Sequence, residues 1–187
     1  MSPLAEEITG ATPTPQRATL FLMARIAILT ASDKASSGQR DDLSGETIAR
    51  YCSGAGHEVV LQEIVADERD LISEHLRVWC RAEVADVILT TGGTGLTARD
   101  VTPEATRDVA ERDVPGIPIA LALAGLQQTP YAALTRGVAV TRGNTLIVNL
   151  PGSPRAVEQG MDVLLPLLSH IADLLSGPVE HESPPPA

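Results

Sequence analysis

A three-layer αβα sandwich with a mostly parallel sheet and one antiparallel hairpin is the fold this sequence predicts. Strand-like and helix-like segments alternate along the chain. The strand candidates Arg25–Thr30 (RIAILT) and Val87–Thr90 (VILT) are short apolar runs, as in strands buried on both faces of a parallel sheet. Of the 187 residues 43% are apolar but only 2% aromatic, so Val, Ile, Leu and Ala must fill the interior.

Arg25–Thr30 opens the sheet, and a polar loop, Ser32–Asp42, follows it. Leu43–Gly54 reads as a helix and Glu58–Val65 as the second strand. Asp67 stands where a cap belongs for a helix running to about Arg81, with Asp70 at the capping-box position. Beyond Val87–Thr90 lies a loop, Gly92–Thr102, and Thr102-Pro103 begins a helix with proline in its first position. Ile117–Gln127 reads as a helix. Val138–Thr141 and Leu146–Asn149 flank a Gly143-Asn144 turn and predict the hairpin. Arg155–Leu175 is a long helix, expected to bend at Pro166 and to end at Gly177. Residues 1–22 and 178–187 are proline-bearing and aperiodic, which predicts a flexible extension and a disordered tail around a domain at 23–177.

The net charge of -10 argues against nucleic-acid and membrane-surface partners, which call for a basic face. The scarcity of aromatics argues against a base-stacking platform. An anionic substrate remains compatible if local Arg or Lys, backbone amides or a metal hold it. Cys52 and Cys80 form no CxxC pair and read as reduced packing residues, so a cytoplasmic location is expected. No stretch is long enough to span a bilayer. His57, His75, His170 and His181 show no ligand spacing.

Thr91, Gly92, Gly93, Thr94 and Gly95 follow a strand. Glycines let a phosphate approach the backbone closely and leave amides free to bind it. A plain strand-to-helix turn explains them equally well, and neither a Walker A loop nor the dinucleotide fingerprint is present. Arg99 can grip phosphate oxygens in a fork, and Asp100 can hold the magnesium that accompanies a nucleotide. Their mutual pairing on a solvated loop is the plainer alternative. Thr102 opens a helix whose positive end points the same way. Asp67 either caps its helix or faces Asp100 as a second carboxylate, and one residue can do both. Asn149, Pro151, Gly152, Ser153 and Pro154 form a rigid loop that either caps a helix or offers an amide and a hydroxyl to an anion. Ser32 and Asp33 begin a loop that is either solvated or a wall of the site.

Together these segments resemble the Mog/MoaB family, the molybdopterin adenylyltransferases. Thr90–Gly95 (TTGGTG) with Arg99–Thr106 (RDVTPEAT) carries the likeness, as do Asn149–Val157 (NLPGSPRAV) and Ser32–Gly38 (SDKASSG) with Asp42–Gly45 (DLSG). It covers about residues 24–177. The resemblance implies a homotrimer, MgATP as cosubstrate, molybdopterin as substrate, and adenylylation of the pterin's terminal phosphate with release of pyrophosphate. It also implies a molybdenum-insertion protein as a partner. Two aspartates support catalysis in the family; they match Asp67 and Asp100, which would also hold the metal. The chain departs from the commoner pattern at Ala66, where proline often stands, and at Lys34, where arginine is common. Lys34 keeps the charge but loses the fork. A non-catalytic molybdopterin-binding or carrier protein of the same fold is the rival reading, and the presence of both aspartates favours the enzyme. Because the extension is aperiodic, deleting residues 1–21 is expected to leave the melting temperature unchanged; a large drop would show that it packs on the domain.

Overall fold

The computed structural model describes residues 23–177, so the extension and tail expected at 1–22 and 178–187 lie outside the described residues. The elements run β1 (Arg25–Ala31), α1 (Asp33–Ser36), α2 (Leu43–Gly54), β2 (Glu58–Val65), α3 (Arg69–Arg81), β3 (Val87–Thr91) and α4 (Thr102–Arg107). Then follow β4 (Arg112–Asp113), α5 (Gly116–Leu126), a 3-10 turn at Pro130–Leu134, β5 (Ala139–Arg142), β6 (Thr145–Leu150) and α6 (Pro154–Ser176).

The 6-stranded sheet has the order β2-β1-β3-β6-β5-β4. β2, β1, β3 and β6 are parallel neighbours, while β5 pairs antiparallel with β6 and β4 antiparallel with β5. From β1 the chain steps outward to β2, then returns to the other side of β1 for β3. The chain therefore leaves β1 and β3 toward opposite edges of the sheet, and a crevice opens at the carboxyl ends of the strands.

Strand alternation builds the three layers. Ile26, Ile28, Val87, Leu89, Leu146 and Val148 face a core filled by Ile48 and Cys52 of α2, Ile117 of α5, and Val157, Met161, Leu164 and Leu168 of α6. Ala27, Leu29, Ile88 and Ile147 face the opposite core with Ile72, Leu76 and Trp79 of α3 and Ala105 of α4. Both cysteines are free and buried. Burial pushes the Cys52 thiol up to about 12 and the Cys80 thiol to about 11, as expected of packing residues.

The helix after β2 departs from expectation. It begins at Arg69, its N-cap is Glu68, and Glu68 makes no side-chain cap bond. Asp67 is not its cap, because the Asp67 carboxylate accepts from the amide of Asp33 in another loop. Within the expected polar loop, Ser32 caps the single turn α1. β4 and the 3-10 turn carried no readable pattern. α6 continues through Pro166.

Leu164 is fully buried in the larger core. Leu164→Ala is expected to cost about 2–5 kcal/mol, read as a lower denaturant midpoint at unchanged slope.

Candidate active site

Four strand-end loops meet at the crevice: those after β1 (Ser32, Asp33), β2 (Asp67), β3 (Gly92–Asp100) and β6 (Pro151–Ser153). They enclose a polar cavity of about 200 Å³ lined by Ser32, Asp67, Thr91, Gly92, Gly93, Asp100 and Gly152, with Arg40, Asp41, Asp42 and Ser44 on its far wall. Gly92 has φ 92, and a Cβ there would run into the carbonyl oxygen of Ala31. Gly93 has φ 60, and a Cβ there would meet the Thr102 hydroxyl. The β3 loop lies this close to the β1 loop because its backbone carries no side chains at these positions.

Asp33 and Asp67 clasp each other across the crevice. The Asp33 N–H donates to Asp67 Oδ2 (2.9 Å), and the Asp67 N–H donates to Asp33 Oδ1 (3.0 Å). Arg99 closes the group with a forked pair onto Asp33, Nε to Oδ2 at 3.0 Å and Nη2 to Oδ1 at 2.7 Å. Arg99 thus pairs with Asp33, and the plainer expectation of an Arg99–Asp100 pair is not met. Asp100 Oδ2 instead accepts from the Thr97 N–H at 2.7 Å.

The three carboxyls titrate differently. The Arg99 guanidinium, with the Asp67 amide, holds Asp33 below the usual carboxylate range. Burial pushes Asp67 up; the Asp33 amide and Arg99 oppose this, while the charges of Asp33 and Asp100 add to it. Burial would also raise Asp100, but Thr97, the Gly95 amide and the Arg136 charge outweigh it and hold that carboxyl low. Crowded carboxylates with one of them strained upward suit a cation arriving from outside. Among the described residues no three His, Cys, Asp or Glu side chains form a ready-made metal cage. The residues fit magnesium that comes with a nucleotide, which commonly takes one or two carboxylates and completes its shell with phosphates and water.

The remaining expected residues divide. Thr91 donates its hydroxyl to the Pro151 carbonyl at 2.7 Å and ties the β3 and β6 loops together. Thr102 is buried against Gly93 with its hydroxyl unpaired. Asn149 is a structural tie: its Nδ2 donates to Thr90 and Thr106 hydroxyls, both at 2.9 Å, and its Oδ1 accepts from the Val138 amide at 3.1 Å. Ser153 caps α6, which Pro154 begins, by accepting from the Ala156 amide at 3.4 Å. Thr94 and Gly95 face away from the polar cavity into a second, apolar one of about 300 Å³, shared with Asn149, Pro151, Pro118, Leu121 and Tyr131. Successive residues of the same two loops therefore line two unlike cavities.

Sequence reasoning missed Ser44, whose hydroxyl donates to the Gly152 carbonyl at 2.9 Å. It also missed the roles of Asp42, which caps α2 and accepts from Thr30, and of Arg136 and Glu104 beneath the Asp100 loop. Asp42 and Ser44 stood in the matched DLSG run; Arg136 left no local signal.

Residues 27–170 match the family described as a probable molybdopterin binding domain. The chain belongs to that family. It is 40% identical over 158 residues to the molybdopterin adenylyltransferase of Helicobacter pylori (strain J99), covering 81% of this chain and 88% of the relative. It is 42% identical over 153 residues to the molybdenum cofactor synthesis protein cinnamon of Drosophila melanogaster, but spans only 26% of that protein's length. The crystal structure of the molybdopterin biosynthesis enzyme MoaB from Thermus superposes with a TM-score of 0.78 at 47% identity, covering 83% of this chain and 98% of that one. In this molybdopterin binding domain the carboxylates and the glycine loop stand at one crevice.

Because Asp67 is held above the ordinary carboxylate range, its ionised form costs stability. That cost is absent in acid, grows as the pH rises above the unfolded pKa and is complete above the folded one. Asp67→Asn keeps the acceptor for Asp33 and removes the charge. Its melting temperature is expected to exceed that of the parent at neutral pH, with the gain vanishing as the pH falls through the carboxylate range. A gain that persists in acid would contradict this origin.

Proposed function

We propose that this chain is a nucleotidyltransferase of molybdenum cofactor biosynthesis that uses MgATP to adenylylate molybdopterin, giving adenylyl-molybdopterin and pyrophosphate. The observation that carries the reading is the glycine loop between an acidic polar cavity and an apolar one, with Asp67 and Asp100 both on the polar side. A site for two ligands joined through phosphate needs that division. The name of the Helicobacter relative, which matches over nearly its whole length, favours the enzyme over a non-catalytic carrier.

In this reading a terminal phosphate oxygen of the pterin attacks the α-phosphorus of ATP. A new P–O bond forms, the bond to the bridging oxygen of the β-phosphate breaks, and pyrophosphate leaves. Magnesium, when bound with the nucleotide, would offset charge on the phosphates. The chain's own work is alignment and electrostatics. Asp67 and Asp100 would hold the metal. The amides of Gly92–Gly95 would bind phosphate oxygens, and Arg99 would exchange Asp33 for them. Gly152 and Ser153 would close the wall opposite.

We also propose a homotrimer, a cytoplasmic location and a molybdenum-insertion protein as the acceptor of the product. Among the described residues no helix is long and apolar enough to cross a membrane. α5 (GIPIALALAGL) is apolar all round, yet only Ile117 is buried, with Ile119 57% and Leu123 58% exposed. Such a helix calls for a cover, and a second copy of this chain supplies one.

Adding molybdopterin to the protein with MgATP should release pyrophosphate, and no release would sink the reading. Asp100→Asn should fold normally and lose turnover by roughly 100-fold or more; normal turnover would remove Asp100 from metal positioning. Leu123→Glu should lower the sedimentation coefficient from that of a trimer toward a monomer, and an unchanged trimer would place the interface elsewhere.

A further inference from the structure

The segment that carries Asp100 is held by polar contacts alone. Leu96, Thr97, Ala98 and Arg99 are all exposed, Leu96 to 66%. Its own bonds form one small turn: the Asp100 N–H donates to the Thr97 carbonyl at 3.1 Å, and the Thr97 N–H returns to Asp100 Oδ2. No apolar side chain in this stretch is buried to anchor it. Besides the Arg99 fork onto Asp33, its placement depends on two polar ties, at its ends Gly95 and Asp100.

One side chain makes both ties. Arg136 lies between the 3-10 turn and β5, far away in sequence. Its Nε–H donates to the Gly95 carbonyl at 2.7 Å, and Nη2–H donates to the Asp100 carbonyl at 2.6 Å. Nη1 pairs with the carboxylate of Glu104 in α4. The Arg136 backbone N–H donates to the Thr94 carbonyl at 3.0 Å. All of these partners lie between Thr94 and Glu104. Arg69 meets Asp108 alone and Arg99 meets Asp33 alone, while Arg25 meets Asp86 and the Glu83 carbonyl away from the crevice. Arg136 lines neither cavity, and its guanidinium is spent on Gly95, Asp100 and Glu104.

A guanidinium is planar and rigid, so two carbonyls bound to one guanidinium are held at a fixed separation. We infer that Arg136 is a positioning residue for adenylyl transfer, a rigid staple that sets Asp100 against the glycine loop. This rests on the proposed role of Asp100. A lysine keeps the charge beside Glu104 but is a single point on a flexible stem, and it cannot fix the two carbonyls together. Glu104 needs that charge, because its Oε2 is buried without a partner.

Arg136→Lys is therefore the decisive variant, since it spares the Glu104 pairing and with it the fold. Pyrophosphate release is measured at rising magnesium, beside the melting temperature. Arg136→Lys should melt near the parent, lose turnover by about 10-fold or more, and need more magnesium, because a displaced carboxylate holds the metal less well. Arg136→Ala should lose about 100-fold and regain activity when guanidinium chloride, but not methylammonium chloride, is supplied at millimolar concentration. Parent-like turnover and magnesium dependence in Arg136→Lys would overturn the inference, as would equal rescue of Arg136→Ala by the two cations. A parent protein that releases no pyrophosphate would fail the catalytic reading and this inference with it, whereas an active parent beside an equally active Arg136→Lys fails the inference alone.

Discussion

The reciprocal clasp of Asp33 and Asp67, closed by Arg99, is the constraint on which the crevice depends. It joins the loops after β1, β2 and β3 where the order of strand addition reverses. Each aspartate offers its carboxylate to the other's amide, so the two loops are held by backbone geometry as well as by charge. The cost is electrostatic. Three carboxylates share the region, and the guanidinium nearest Asp67, that of Arg99, is committed to Asp33. Asp67, more deeply placed, takes the strain and is pushed upward. A divalent cation between Asp67 and Asp100 would relieve it and reverse the local logic of both groups.

The close approach of the loops follows from the same need. Gly92 presses on the Ala31 carbonyl and Gly93 on Thr102, while Thr91 and Ser44 tie the β6 loop down through the carbonyls of Pro151 and Gly152. With these contacts made, Gly92 and Gly93 line the polar cavity beside Asp67 and Asp100. Of the parallel strands beneath, β1, β3 and β6 are buried on both faces, so the platform under the loops is rigid while the chemistry stays at its edge.

Much of this was legible from local pattern. Leu43–Gly54 and Glu58–Val65 carry their own periodicity and end signals, and the structure has them at those bounds. The crevice followed from the order of strands and helices alone. What sequence reading missed depends on contacts between distant residues. Asp67 looked like a cap because a carboxylate at a strand end commonly is one, but its acceptor was claimed by an amide 34 positions away. Asn149 looked available to a ligand, yet its amide is spent on Thr90, Thr106 and Val138 inside the sheet. Arg136 sits in an ordinary polar connection, and only the fold brings its fork to Gly95 and Asp100. β4 spans two residues, too few to show a period.

The central claim is that crowded carboxylates at the crevice await a cation carried by a nucleotide. A carboxyl-carbon NMR titration of Asp67, with and without MgATP, tests it most directly. The account predicts a midpoint above the ordinary carboxylate range in the free protein and a fall below that range when MgATP is present. A midpoint that MgATP does not move, or one already low in the free protein, would contradict it.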